Sequence, residues 1–200
     1  MIKIVPKPNS TQSSFDCLGV VLSGGQSSRM GKDKAGLMRN NENMLAFSQQ
    51  VLAQTGVCKT VISTNSEKAH FGTPDLISNA GPLGGVYSVI SQYKPKALLI
   101  LPVDLPLITA SVLEKLRLTG ELNQKACFYE DNYLPLYLPV NSFTELFFKS
   151  ALKNFNGKGP SIRAMLKQVP HQTLSLDNKN ALFNTNTPEE WQQAKQTFIK

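Results

Sequence analysis

The chain is short of the residues that build cross-linked or metal-held frameworks. Of its 200 residues, 3 are cysteine and 2 are histidine. Cys17, Cys58 and Cys127 are odd in number and far apart, which argues against both a disulfide scaffold and a zinc-ligand pattern. Each lies in or beside an apolar run, as expected of small buried side chains in a reducing compartment. His70 and His171 have no Cys or His at ligand spacing and read as surface or loop residues. Long apolar runs are also missing. No stretch approaches the roughly 20 apolar residues of a membrane span, and the opening MIKIVPKPNSTQSSFD has no apolar core suited to a signal peptide. The expected location is therefore the cytoplasm. Charge is moderate, with 21 Lys and Arg against 14 Asp and Glu, a net +7. Acidic residues interrupt every basic patch, so nucleotides or phosphorylated metabolites suit the charge better than nucleic acid or a membrane surface.

What is present is an ordinary globular composition, 41% hydrophobic, in a length that suits one domain with a substantial core. Residues 1–16, with two prolines and a Ser/Thr/Gln/Asn cluster, read as a flexible N-terminal extension, and 17–200 as a single domain. In the first half, runs that are apolar throughout (CLGVVLS, KTVIST, ALLILPVD) alternate with helical patterns. Met44, Ser48, Val51, Leu52 and Thr55 share a helix face that Gly56 closes. VYSVISQY reads as a helix after a GPLGG turn, and SVLEKLRLTG as one that Thr109 or Ser111 opens and Gly120 ends. Fully apolar strands separated by helices imply a mostly parallel, Rossmann-like central sheet in an α/β/α sandwich. Ligands of such a sheet bind beyond the carboxyl ends of its strands. The second half is less regular. KACFYE, YLPLYLPV and QTLSL suggest strands, with Pro135 and Pro139 pointing to an edge. SFTELFFKSALKNF and SIRAMLKQV suggest helices, and in NTPEEWQQAKQTF Thr187, Pro188 and Glu190 form a capping box at a helix start.

The stretch VVLSGGQSSRMGKDKA, residues 20–35, leaves a strand into two adjacent glycines, then an Arg and two Lys around a third glycine. It fails the Walker pattern, because Gly25 to Gly31 is one residue too long and Asp33 follows Lys32. It also fails the G-x-G-x-x-G fingerprint, since Gly24 and Gly25 are adjacent. The physics still favours an anion. Glycines let successive backbone N–H groups approach phosphate oxygens, and Arg29 and Lys34 can neutralise charge. A surface loop with solvated cations is the alternative. Asp104 ends an apolar strand, where a buried unpaired carboxylate is costly, so it is either a divalent-cation ligand or a turn cap before Pro106.

LSGGQSSRMGKDKA resembles the L-A-G-G-x-S-x-R-M-G-x-D-K-A signature of molybdenum cofactor guanylyltransferases, within the nucleoside-triphosphate transferase superfamily. Three more segments resemble that family in order: GPLGGV at 81–86, LPVDLPLI at 101–108 and FNTNTPEEW at 183–191. Ser23 stands where the family has alanine, and EDNYLPLY lacks a His-Pro pair that many members carry. The resemblance implies a three-layer α/β/α fold of the nucleotide-diphospho-sugar transferase type. It implies transfer of GMP from GTP to molybdopterin with release of pyrophosphate, and Mg²⁺ as cofactor. Molybdenum-insertion and molybdoenzyme-maturation proteins are candidate partners. By the same resemblance Leu22, Ser23, Gly24 and Gly25 give the nucleotide backbone contacts, and Arg29 and Lys34 hold the triphosphate. Asp104 holds the metal, Asn65 and Asp75 contact base and sugar, and Gly81, Pro82, Leu83 and Gly84 shape the pocket near the guanine. Asn184 and Asn186 are expected as strand-end and cap polarity, with an acceptor or metal role as the alternative. Two other readings remain open at this point. One is a related enzyme using CTP on molybdopterin, or a nucleotide on a sugar or alditol phosphate; the other is a nucleotide-binding module without activity.

Overall fold

Strand β1 (Cys17–Leu22) is buried along its whole length, as an apolar run between two helical layers must be. It pairs in parallel with β4 (Lys59–Thr64) on one side and β6 (Ala97–Pro102) on the other. This computed structural model describes residues 16–23, 34–64, 72–77, 80–153 and 159–198. Its main sheet continues through β5 (Thr73–Pro74), β7 (Ala126–Tyr129), β8 (Asn132–Pro139) and β9 (His171–Leu174), in the order β5-β4-β1-β6-β8-β7-β9. Only β8 runs against the rest. A two-residue hairpin, β2 (Met38–Arg39) with β3 (Glu42–Asn43), stands apart from the sheet.

Alternate side chains of β1 feed two cores. On one face Cys17 and Val21 pack with α1 (Met44–Ala53), α3 (Ala110–Asn123) and α6 (Pro188–Phe198) through Phe47, Leu52, Leu113, Leu116 and Trp191. On the other, Leu18, Val20 and Leu22 pack with α2 (Gly81–Tyr93), α4 (Ser142–Lys153) and α5 (Ile162–Leu166) through Val86, Val89, Phe147, Phe148 and Met165. The three-layer sandwich with a mostly parallel sheet is therefore as the sequence reads. The chain leaves β1, forms β4 and β5 to one side, then returns to form β6 on the other. That reversal opens a crevice at the carboxyl ends of β1 and β6.

Cys17 and Cys127 are buried as expected but Cys58 is exposed, and four readings of local structure also need correction. GPLGG is the first turn of α2 rather than a separate turn, with Gly81 at φ 65° and Pro82 inside the helix start. Gly120 lies within α3, which runs on to Asn123 and is capped by Gln124 at φ 52°. The glycine is there for space, since a Cβ would sit 2.1 Å from Cδ1 of Tyr137 on β8. β8 is interior, not an edge; its ladder is irregular between Phe128 and Tyr129, near where Pro135 would otherwise owe a hydrogen bond. The helix begun at Met44 ends at Ala53, leaving Thr55 buried beyond it and donating to the Leu52 carbonyl at 2.7 Å. The capping box holds: Thr187 Oγ1 accepts from Glu190 N at 3.2 Å, and Glu190 Oε2 accepts from Thr187 N at 2.9 Å.

Candidate active site

Asp104 lies two positions past the end of β6, so the apolar strand delivers its carboxylate to the crevice. Lys34 opens the 3-10 turn Lys34–Gly36 on the segment that returns from β1. The two meet: Lys34 Nζ lies 3.1 Å from Asp104 Oδ2, with each side chain only 16% exposed. The same ammonium donates to Asn186 Oδ1 at 2.7 Å. Asn186 is held by its backbone, whose N–H donates to Glu190 Oε2 at 2.6 Å, so the capping box of α6 also sets this side chain. Thr185 staples the same segment to Asp104, donating from N at 3.0 Å and from Oγ1 at 3.2 Å to the Asp104 carbonyl.

The other carboxylate oxygen, Asp104 Oδ1, is buried and has no hydrogen-bond partner among the described residues. An ionised oxygen in that state is costly to leave alone, so the donor set suits a hard divalent cation. Such an ion takes one or two carboxylates and completes its shell with phosphate oxygens and water. Among the described residues no group of three or more His, Cys, Asp or Glu is placed to hold a metal.

A second carboxylate lies at the other side of β1. Asp75 follows β5; its N–H donates to the Thr64 carbonyl at 3.2 Å, and its Oδ1 is likewise buried without a partner among the described residues. Burial raises its carboxyl pKa above the ordinary 3.8. A Cβ at Gly85 of α2 would lie 2.0 Å from Ser63 Oγ and 3.1 Å from Asp75 Oδ1, so this glycine admits the polar corner against the helix.

The remaining predicted residues divide. Leu22 ends β1, its carbonyl accepting from Val103 N at 3.2 Å, and Ser23 N donates to the Ser63 carbonyl at 2.9 Å. Gly81, Pro82 and Leu83 form the start of α2, but the Leu83 side chain is 2% exposed in the core, so only its backbone is available to a ligand. Gly24, Gly25, Arg29 and Asn65 lie outside the described residues. Asn186 and Thr185 stand at the centre of the cluster; a site role is only the alternative to cap polarity in the sequence reading of Asn186, and Thr185 is not singled out there, because the polarity of NTNTPEE reads equally well as helix capping.

Residues 19–173 match the family described as MobA-like NTP transferase domain. The chain belongs to this family. A molybdenum cofactor guanylyltransferase of Xanthomonas euvesicatoria is 34% identical over 176 residues, which cover 86% of this chain and 91% of that protein. Among solved structures, molybdopterin-guanine dinucleotide biosynthesis protein A from Archaeoglobus fulgidus superposes with TM-score 0.73 at 19% identity, covering 90% of this chain and 97% of that one. A Mycobacterium tuberculosis protein solved in complex with manganese superposes with TM-score 0.59 at 15% identity, over 92% of this chain and 100% of that one. Membership makes the chain a nucleotidyltransferase and bears out the resemblance carried by its four motifs. No described helix is long and apolar enough to cross a membrane.

Proposed function

We propose that the chain transfers GMP from GTP to molybdopterin. A terminal phosphate oxygen of the acceptor forms a bond to the α-phosphorus of GTP, the bond from that phosphorus to the bridging oxygen breaks, and pyrophosphate leaves. The observation that carries this reading is the ammonium of Lys34 poised between Asp104 and Asn186 at the switch point of a MobA-like domain. Two anions must meet and a third must depart, so positioning and charge compensation dominate the chemistry. Lys34 and Arg29 face the triphosphate as point charge and planar fork. Leu22, Ser23, Gly24 and Gly25 supply backbone contacts. Asn65 and Asp75 hold the base and sugar beside the start of α2. Asp104 would hold Mg²⁺, which when bound offsets charge on the reacting and leaving phosphates.

Pyrophosphate release with GTP or CTP, Mg²⁺ and molybdopterin tests this. Release with GTP and not CTP is the expected result. Release only with CTP, or only on a sugar or alditol phosphate, would assign the related transferase activity. Binding of nucleotide with no release under any acceptor would refute transfer.

A further inference from the structure

We propose that Arg39 is a positioning residue, keeping the segment that carries Lys34 in register with the segment that carries Asp104 once their direct ion pair opens. The inference rests on the reading above, in which Lys34 serves phosphate and Asp104 a cation. In the structure these two side chains link their segments themselves, at 3.1 Å. Each has another partner during the reaction, so the link is lost when geometry matters most.

A second link involves neither reacting group. Arg39 Nε donates to the carbonyl of Pro106 at 2.8 Å. Arg39 lies five positions after Lys34, and Pro106, a buried residue, two positions after Asp104. The intervening chain is stiffened by Leu37 N to the Lys34 carbonyl at 3.2 Å and by Met44 N to the Leu37 carbonyl at 2.9 Å. The Arg39–Pro106 bond thus ties the Arg39 side chain to the backbone of the turn after Asp104 and uses neither the Lys34 nor the Asp104 side chain.

The guanidinium is itself held. It lies 3.9 Å from the ring centre of Phe47 on α1 and 5.0 Å from that of Phe198 on α6. The Phe198 ring in turn packs on Trp191 at 6.0 Å. Helix α6 therefore touches the site twice: the residues leading into it place Asn186 on Lys34, and its far end backs Arg39. An arginine serving only as a surface stack would have no reason to direct its Nε at the turn after the metal carboxylate.

The test compares wild type with Arg39→Met, which keeps the apolar stem but removes charge and donor, and with Arg39→Lys. Readouts are the thermal midpoint, GTP affinity by calorimetry without acceptor, the pyrophosphate-release rate at saturating GTP, and deuterium exchange over residues 103–108 with GTP and Mg²⁺. Arg39→Met is expected to lose about ten- to a hundredfold in saturated rate. Its GTP affinity should stay within about threefold, since uniform binding is not what it loses. Exchange over 103–108 should quicken, and Arg39→Lys should recover part of the rate. Phe198→Leu, which removes one stacking wall, should move the rate the same way by less, and carries the test if Arg39→Met does not fold. An unchanged saturated rate per folded molecule, or a Lys variant no better than the Met variant, would overturn the proposal. Wild type that releases no pyrophosphate would instead refute the reading it rests on, and is seen without any variant.

Discussion

Replacing Lys34 by methionine is expected to destabilise the ligand-free protein and to make it newly responsive to divalent cations. At 3.1 Å the Lys34–Asp104 attraction is about 5 kcal/mol gross at an effective dielectric of 20. Desolvation offsets much of this while the pair is intact. Methionine preserves the stem but leaves Asp104 with Oδ2 stripped of its ammonium and Oδ1 without a partner among the described residues. Removing one member of a fully buried pair costs about 3–5 kcal/mol; with both side chains 16% exposed, about 1–3 kcal/mol is expected. For a chain of this size that lowers the thermal midpoint by about 2–12 °C. Millimolar Mn²⁺ or Mg²⁺ should recover part of the loss in Lys34→Met, because the cation takes the place of the ammonium and stabilises by mass action. Wild type should respond less, its carboxylate being already compensated. Differential scanning calorimetry of both proteins, with and without metal, reads the whole argument. Identical midpoints, or equal metal responses in the two proteins, would show that the ion pair does not hold Asp104. Turnover in the variant should fall by orders of magnitude as the triphosphate loses its lysine.

Asp75→Asn should raise the thermal midpoint at neutral pH while weakening GTP binding by about tenfold or more, read by calorimetry. The sign follows from burial: the folded-state pKa lies above the unfolded 3.8, so stability falls as pH rises through that window and stays reduced above it. The advantage of the amide should accordingly shrink as pH falls toward 3.8, and a variant less stable at every pH would mean the carboxylate is paired. Gly120→Ala should destabilise by about 1–3 kcal/mol despite a helix-propensity gain of about 1 kcal/mol, because its Cβ would fall 2.1 Å from the Tyr137 ring. Combining it with Tyr137→Leu should cost less than the sum of the two single changes, and strict additivity would mean the contact is relieved elsewhere.

How much of this was legible in the sequence depends on what kind of group does the work. The parallel core strands were plain because burial on both faces demands unbroken apolar runs, and CLGVVL and ALLILP have no other use. Pro135 misled because proline marks an edge only when its missing N–H would be needed; β8 places it beside a break in the ladder, where none is. Gly120 misled for a similar reason. Its spacing fitted a helix end, but what it supplies is room for Tyr137, seventeen positions away in the chain and visible only once β8 packs on α3.

The site shows the same division more sharply. The sequence singles out Lys34 and Asp104, which the structure brings together, because phosphate and cation chemistry restrict which side chains can serve, so identity itself carries information. Their supports use acceptors that every residue possesses. Thr185 bonds the backbone carbonyl of Asp104, and Arg39 that of Pro106. A carbonyl leaves no trace in the residue alphabet, so the donor aimed at it looks like an ordinary surface polar group until the fold is known. The consequence is specific to this protein. Thr185 and Asn186, from the segment leading into α6, and Arg39, from β2, converge on Lys34 and the Asp104–Pro106 turn only in the folded chain. The cation and the carboxylate are fixed by chemistry, whereas the angle at which they face each other is fixed by tertiary structure.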